Sequence, residues 1–179
     1  APYYNQLCPF DNQYNELTVS GCVATAMAQV MKYWNYPTQG SGFHSYSHNT
    51  YGTLSANFGS TTYDWANMPN NLTSNSNAVA TLMYHCGVSV DMNYGVAQTG
   101  GSGAFVVTAA SPKQHCTEYA LETYFGYDAN SLQGVLRQNY TTSGWVTMLK
   151  GELDASRPIV YAGFGNGGGH AWEIGRAHV

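Results

Sequence analysis

Cys22 heads the run Ser20-Gly21-Cys22-Val23-Ala24-Thr25-Ala26-Met27-Ala28-Gln29-Val30-Met31-Lys32-Tyr33-Trp34. Ser20-Gly21 reads as a helix cap, which puts the thiol in the first turn, where unpaired backbone N–H groups and the positive end of the helix dipole favour a thiolate. A thiolate nucleophile needs a proton acceptor nearby, and the six histidines compete for that role. His44 and His48 have a metal-like spacing if helical, but Gly-Ser-Gly-Phe-His-Ser-Tyr-Ser-His is not a helical sequence, so no metal site is expected there. His85 and His115 fall within helical stretches and read as surface or interface residues, while His178 belongs to the tail. His170 remains. It follows Gly163-Phe164-Gly165-Asn166-Gly167-Gly168-Gly169, a turn whose glycines let another backbone approach closely, as an extended peptide would. Gly168 and Gly169 are therefore the candidate substrate-binding residues, and 100–104 is a candidate second wall. Such a pair supports attack on an amide carbonyl. The imidazole takes the thiol proton and returns it to the leaving amine, while fixed donors hold the oxyanion. The Cys22 N–H is one natural donor, and a side-chain amide would be the other.

These residues need a helix and a strand to present them. Val23, Ala26, Met27, Val30, Met31 and Trp34 line one helical face. A second helix is predicted from Asn77 to Cys86, closed by Gly87, followed by a strand in Val88-Ser89-Val90-Asp91-Met92. Ser111-Pro112-Lys113-Gln114 has the form of a capping box opening a third helix toward Tyr124, with Gly126 closing it. A fourth is predicted from Gly144 to Ala155, and Pro158-Ile159-Val160-Tyr161-Ala162 is the most strand-like run. Residues 38–77 read as surface loops anchored by aromatics, with small strands around Tyr63-Asp64-Trp65. The order implies an α+β domain with helices first and strands later.

Composition narrows the function further. A chain of 179 residues suits one domain. With 9% charged residues and a net charge of −4, it offers no basic footprint for nucleic acid and no polybasic patch for a membrane. Nor does any segment approach the roughly 18 apolar residues of a membrane span. The four cysteines contain no C-x-x-C pair, against structural zinc, and Cys86 and Cys116 read as buried free thiols on helix faces. The opening Ala1-Pro2 suggests that a leader or pro-segment precedes this stretch.

Cys22 and His170 are 148 residues apart, within the roughly 130–150 of papain-type enzymes. Beyond that spacing, Tyr4-Asn5-Gln6, the block from Gly21 to Pro37, Gly87-Val88-Ser89-Val90-Asp91-Met92-Asn93-Tyr94-Gly95 and Gly168-Gly169-His170-Ala171 closely resemble, in order, the streptopain family of secreted bacterial cysteine peptidases. The resemblance implies a papain-like fold, with a helical part carrying the cysteine and an antiparallel β part carrying the histidine. It also implies Cys22 as nucleophile, His170 as general base and acid, and Gln6 as the side-chain donor of the oxyanion hole. A protein or peptide substrate, a precursor with an N-terminal pro-segment, a secreted or cell-surface location and no cofactor follow from the same likeness. Family members continue past the histidine through further strands, including an Asn-Trp-Gly-Trp segment. Here Glu173-Ile174-Gly175-Arg176-Ala177-His178-Val179 resembles a translated sequencing adapter. The expectation is a peptidase domain over 1–172 lacking its final strands, with a non-native tail over 173–179 and poor stability and activity in isolation. Two alternatives remain: a cell-wall amidase or acyltransferase with the same Cys-His pair, and a noncatalytic surface-binding domain.

Overall fold

A computed structural model of the protein describes residues 3–175. In chain order it contains the short hairpin β1 (Phe10–Asp11) and β2 (Glu16–Leu17), helix α1 (Cys22–Trp34), and the hairpin β3 (Phe43–His48) and β4 (Gly52–Asn57). Helices α2 (Asn77–Ser89), α3 (Thr117–Tyr124) and α4 (Thr142–Asp154) follow, then the hairpin β5 (Ile159–Gly165) and β6 (Gly168–Ile174). Each hairpin is an antiparallel two-stranded sheet. The α+β expectation holds, with Cys22 on a helix and His170 on an antiparallel hairpin.

Helix α1 organises the packing. Val23, Ala26, Met27, Val30 and Met31 are buried as their spacing predicts, and Ala24 and Ala28 are buried too, because α2 packs on one side and β5–β6 on another. Trp34 departs from that face and stays 47% exposed. The helix stops at Asn35, whose left-handed backbone (φ 47°) turns its N–H onto the Lys32 and Met31 carbonyls. Around it, Met27, Met31, Phe58, Leu82, Met92 and Phe125 are the largest fully buried side chains.

Several predicted boundaries move. Helix α2, capped by Ser76 onto the Val79 N–H, runs through Gly87 to Ser89. Gly87 is required by packing, since a Cβ there would collide with the Tyr94 hydroxyl. The strand expected over 88–92 is therefore the end of a helix and a turn at Asp91 (φ 50°), and Val88, Val90 and Met92 are all buried. Helix α3 begins at Thr117 and not at the Ser111 capping box. Its first N–H groups are satisfied by backbone: Thr117 N–H donates to Phe105 O at 3.0 Å and Glu118 N–H to Val106 O at 3.3 Å. His115 and Cys116 consequently lie outside the helix, Cys116 as its buried flanking residue. Helix α4 starts two residues early, with Thr141 Oγ1 accepting from Gly144 N–H at 3.1 Å.

The hairpin β3–β4 occupies the stretch read as surface loops, while Trp65–Asn67 forms a 3-10 turn in place of the small strand. Leu54 and Ala56 point inward between exposed Thr53, Ser55 and Asn57, an alternation hidden by small polar residues. Strand β6 crosses the boundary expected after Trp172, pairing Glu173 with Val160 and Ile174 with Ile159. Arg176 to Val179 lie outside the described residues. Among the described residues no helix is long and apolar enough to cross a membrane.

Candidate active site

The approach to Cys22 is held from three directions. Thr18 N–H donates to Pro9 O at 2.8 Å and Val19 N–H to Gly95 O at 3.1 Å. The Ser102 hydroxyl donates to Val19 O. Asn5, itself buried, accepts from Ser20 N–H at 3.1 Å and from the Ser20 hydroxyl at 2.7 Å through one oxygen, Oδ1. Gly21 then turns the chain into α1 at φ 86°, a left-handed conformation that disfavours any side chain. A Cβ there would also stand 3.0 Å from Met92 Sδ and 3.1 Å from Ser102 Cβ. Gly21 is thus favoured by the backbone conformation, and space for a side chain is tight.

This corrects the expected cap. Ser20 does not cap α1, because its hydroxyl is committed to Asn5, and no side chain caps the helix start. No capping group therefore competes with a ligand for the first-turn N–H groups, and Cys22 occupies the first helical position. Of the four cysteines, all free, Cys22 alone is not buried. Burial pushes the Cys8 thiol up to about 11 and drives Cys86 higher still, so neither is a nucleophile at neutral pH.

On the facing side, β6 pairs with β5 in the register Gly163↔His170, Ala162↔Ala171 and Tyr161↔Trp172. Ala171 is buried toward α1 while His170 is exposed. A cleft of about 380 Å³ is lined by Tyr4, Asn5, Cys22, Gln29, His170 and Trp172, among others, so the predicted nucleophile and base open on one space. The His170 ring stacks on Trp172, centroids 5.8 Å apart at 25°. Trp172 packs on Tyr161 at 5.1 Å, and Tyr161 on Trp145 at 5.9 Å, with the Trp145 indole N–H donating to the Tyr161 hydroxyl at 3.0 Å. Gly163 makes room for this stack, since a Cβ there would lie 3.2 Å from the Trp172 ring.

The other expected residues are not among those that line this cleft. Gln6 directly follows the lining residue Asn5, and its amide Nε2 donates to Asn75 Oδ1 at 3.0 Å. Gly168 and Gly169 are exposed at the β5–β6 turn, where Gly169 lies against the ring of Phe164, itself 88% exposed. Ser102, within the second candidate wall, supports Val19 from behind. His48 is buried, with Nδ1 accepting from Thr50 and Tyr51 N–H, so Nε2–H donates to Asn93 Oδ1 at 3.1 Å. His85, read as a surface or interface residue, is buried in α2 against the Tyr63 hydroxyl. Sequence reasoning missed Asn5, Ser20 and Trp172 as parts of the site. Trp172 had a signal: two residues beyond His170 on a strand, it must share that face.

A cysteine on the first turn of a central helix, sharing a cleft with a histidine on an antiparallel hairpin, defines the papain-like cysteine peptidase class. Within that class the chain belongs to the Peptidase C10 family, whose family model matches residues 1–174. It is 35% identical over 187 residues to streptopain of Streptococcus pyogenes, covering 97% of this chain and 44% of that protein. It is 34% identical over 161 residues to the thiol protease/hemagglutinin PrtT of Porphyromonas gingivalis, covering 86% of this chain and 17% of that one. Among solved structures, active wild-type interpain A cysteine protease of Prevotella intermedia superposes with a TM-score of 0.82 at 39% identity, over 97% of this chain and 71% of the other. A mutant prointerpain A fragment from the same organism gives 0.81 at 38% identity, over 97% and 54%. The chain thus spans under half the length of the streptopains it matches.

Proposed function

We propose that this chain carries the catalytic core of a cysteine endopeptidase. The observation that supports it best is the single cleft onto which Cys22, at an uncapped helix start, and His170, on β6, both open. His170 takes the Cys22 proton, and the thiolate adds to the scissile carbonyl carbon. The oxyanion is held by the Cys22 N–H and the Gln6 amide. As the C–N bond breaks, the imidazolium protonates the departing amine, leaving a thioester on Cys22. Water then loses a proton to His170 as it adds to the thioester, and the sulfur leaves as the acid is released. Gly168 and Gly169, exposed next to His170 with the Phe164 ring lying against Gly169, are suited to the main chain of an extended peptide. Synthesis as a secreted precursor with an N-terminal pro-segment agrees with family membership and with the prointerpain relative.

A peptidyl epoxide tests the pair directly. It should label Cys22 stoichiometrically by mass spectrometry, and His170→Ala should slow labelling at least about a hundredfold, the usual worth of a positioned base. Labelling at equal rates in the two proteins would overturn the assignment. Turnover of muropeptides without cleavage of a peptide library would assign amidase chemistry to the same pair.

A further inference from the structure

Three side chains far apart in sequence converge on the opposite use of histidine. His44 on β3, Asp91 at the turn after α2, and His115 just before α3 place one ligand atom each within 4.8 Å of one another. The Asp91 carboxylate lies between the two rings, with Oδ1 at 2.5 Å from His44 Nε2 and Oδ2 at 2.9 Å from His115 Nδ1. We propose that His44, Asp91 and His115 form a zinc site that ties β3 to the α2–α3 connection.

The donor set has the right chemistry. Two neutral imidazoles and one carboxylate suit Zn²⁺, and three protein ligands leave a fourth position for water. Ligand atoms around a tetrahedral zinc with bonds of 2.0–2.1 Å stand about 3.3 Å apart, so separations of 2.5 and 2.9 Å must open slightly and one of up to 4.8 Å must close by about 1.5 Å to admit the ion. His44 is held for this by aromatic neighbours, Tyr124 at 5.5 Å and Tyr46 at 6.2 Å between centroids. His115 keeps 49% of its side chain exposed, giving the ion a way in. The nearby cation Lys113 does not compete for Asp91, because Glu118 and Glu122 bind it. Asp91 precedes Met92, whose sulfur packs against Gly21, so zinc at this site would brace the wall behind Cys22. The expected effect is on stability, since the cluster does not line the catalytic cleft.

The test uses ZnCl₂ and the Cys22→Ala chain, which removes the thiolate as a competing ligand. Calorimetric titration should show one Zn²⁺ per chain, accompanied by a rise in Tm. Asp91→Asn and His115→Asn in that background keep a residue tolerant of the left-handed backbone found at both positions (φ 50° and 51°). Each should weaken binding at least about tenfold, since altering even an outer-shell partner costs about 10–100-fold, and should abolish the Tm rise. Circular dichroism without zinc confirms that each variant folds. Zinc binding that survives both substitutions overturns the site. So does a Tm that responds to Asp91→Asn but not to zinc, which would make the cluster a hydrogen-bonded pin only.

Discussion

The His170 imidazole lies over the Trp172 indole, and that indole is in turn backed by Tyr161 and Trp145. Strand geometry puts the two side chains on one face, since residues two apart share it. The stack restrains the ring that takes the Cys22 proton in the proposed function, and such aromatic pairs contribute about 0.5–1.5 kcal/mol beyond burial. Trp172→Ala should therefore lower kcat about tenfold in the peptidase assay with little change in KM, and Trp172→Phe should restore most of it. An equal loss with Ala and Phe, or a loss confined to KM, would mean that Trp172 contacts substrate and does not position His170.

Asn5 joins the segment carrying Gln6 to the residue before Gly21 through two bonds to Ser20. Asn5→Ala strands the buried Ser20 N–H and leaves the Ser20 hydroxyl only Cys8 Sγ, at 3.4 Å, a cost of about 2–3 kcal/mol. Ser20→Ala removes only the hydroxyl and should cost about 1 kcal/mol. Urea unfolding checks the ranking. If Asn5→Ala also slows epoxide labelling of Cys22 while Ser20→Ala does not, the N-terminal segment is held in register by Asn5. Equal stability of the two variants would remove Asn5 from that role.

These two contacts differ in how far the sequence discloses them. Helix α1 and the Cys22 position were legible because a 3.6-residue apolar period and a first-turn thiol are local signals. The place of His170 on a strand was legible because a glycine run followed by a strand is local too. Asn5 and Ser20 are 15 residues apart in segments without periodicity, so only the folded chain brings them together. The start of α3 was misplaced because the backbone of Phe105 and Val106, and no side chain, satisfies its first N–H groups. His44 was paired with His48 by spacing and the pair set aside as a metal site, whereas the fold gives it Asp91 and His115, 47 and 71 residues away. Gln6 was reached through family resemblance alone, since a loop glutamine has no physical signature.

Gly87 sits inside α2, where replacing glycine by alanine ordinarily stabilises by about 0.5–1 kcal/mol. Here the sign reverses, because the new methyl meets the Tyr94 hydroxyl. Gly87→Ala should destabilise by about 1–3 kcal/mol, the usual cost of overpacking. The Tyr94 hydroxyl is buried with no hydrogen-bond partner among the described residues. Tyr94→Phe should therefore be neutral or mildly stabilising alone and should recover part of the loss in the double variant. A Gly87→Ala protein as stable as the parent would show that Tyr94 yields without strain.

His85 is buried in α2 against the Tyr63 hydroxyl, 3.0 Å from its Nδ1. Burial disfavours the charged ring and pushes its pKa down from 6.5 to about 4. The unfolded chain therefore binds a proton at this residue between about pH 6.5 and 4 while the folded chain does not, so stability falls as pH is lowered through that window. The full drop amounts to about 3 kcal/mol. Asp11, Asp128 and Glu152, held low by hydrogen bonds, begin to lose their contribution only near the acidic end of this window and go on losing it below. His85→Gln cannot take up this proton, so its unfolding free energy should decline less steeply than the parent's from pH 6.5 to 4. Parallel curves for the two proteins would show that His85 is already protonated, or still neutral, in both states.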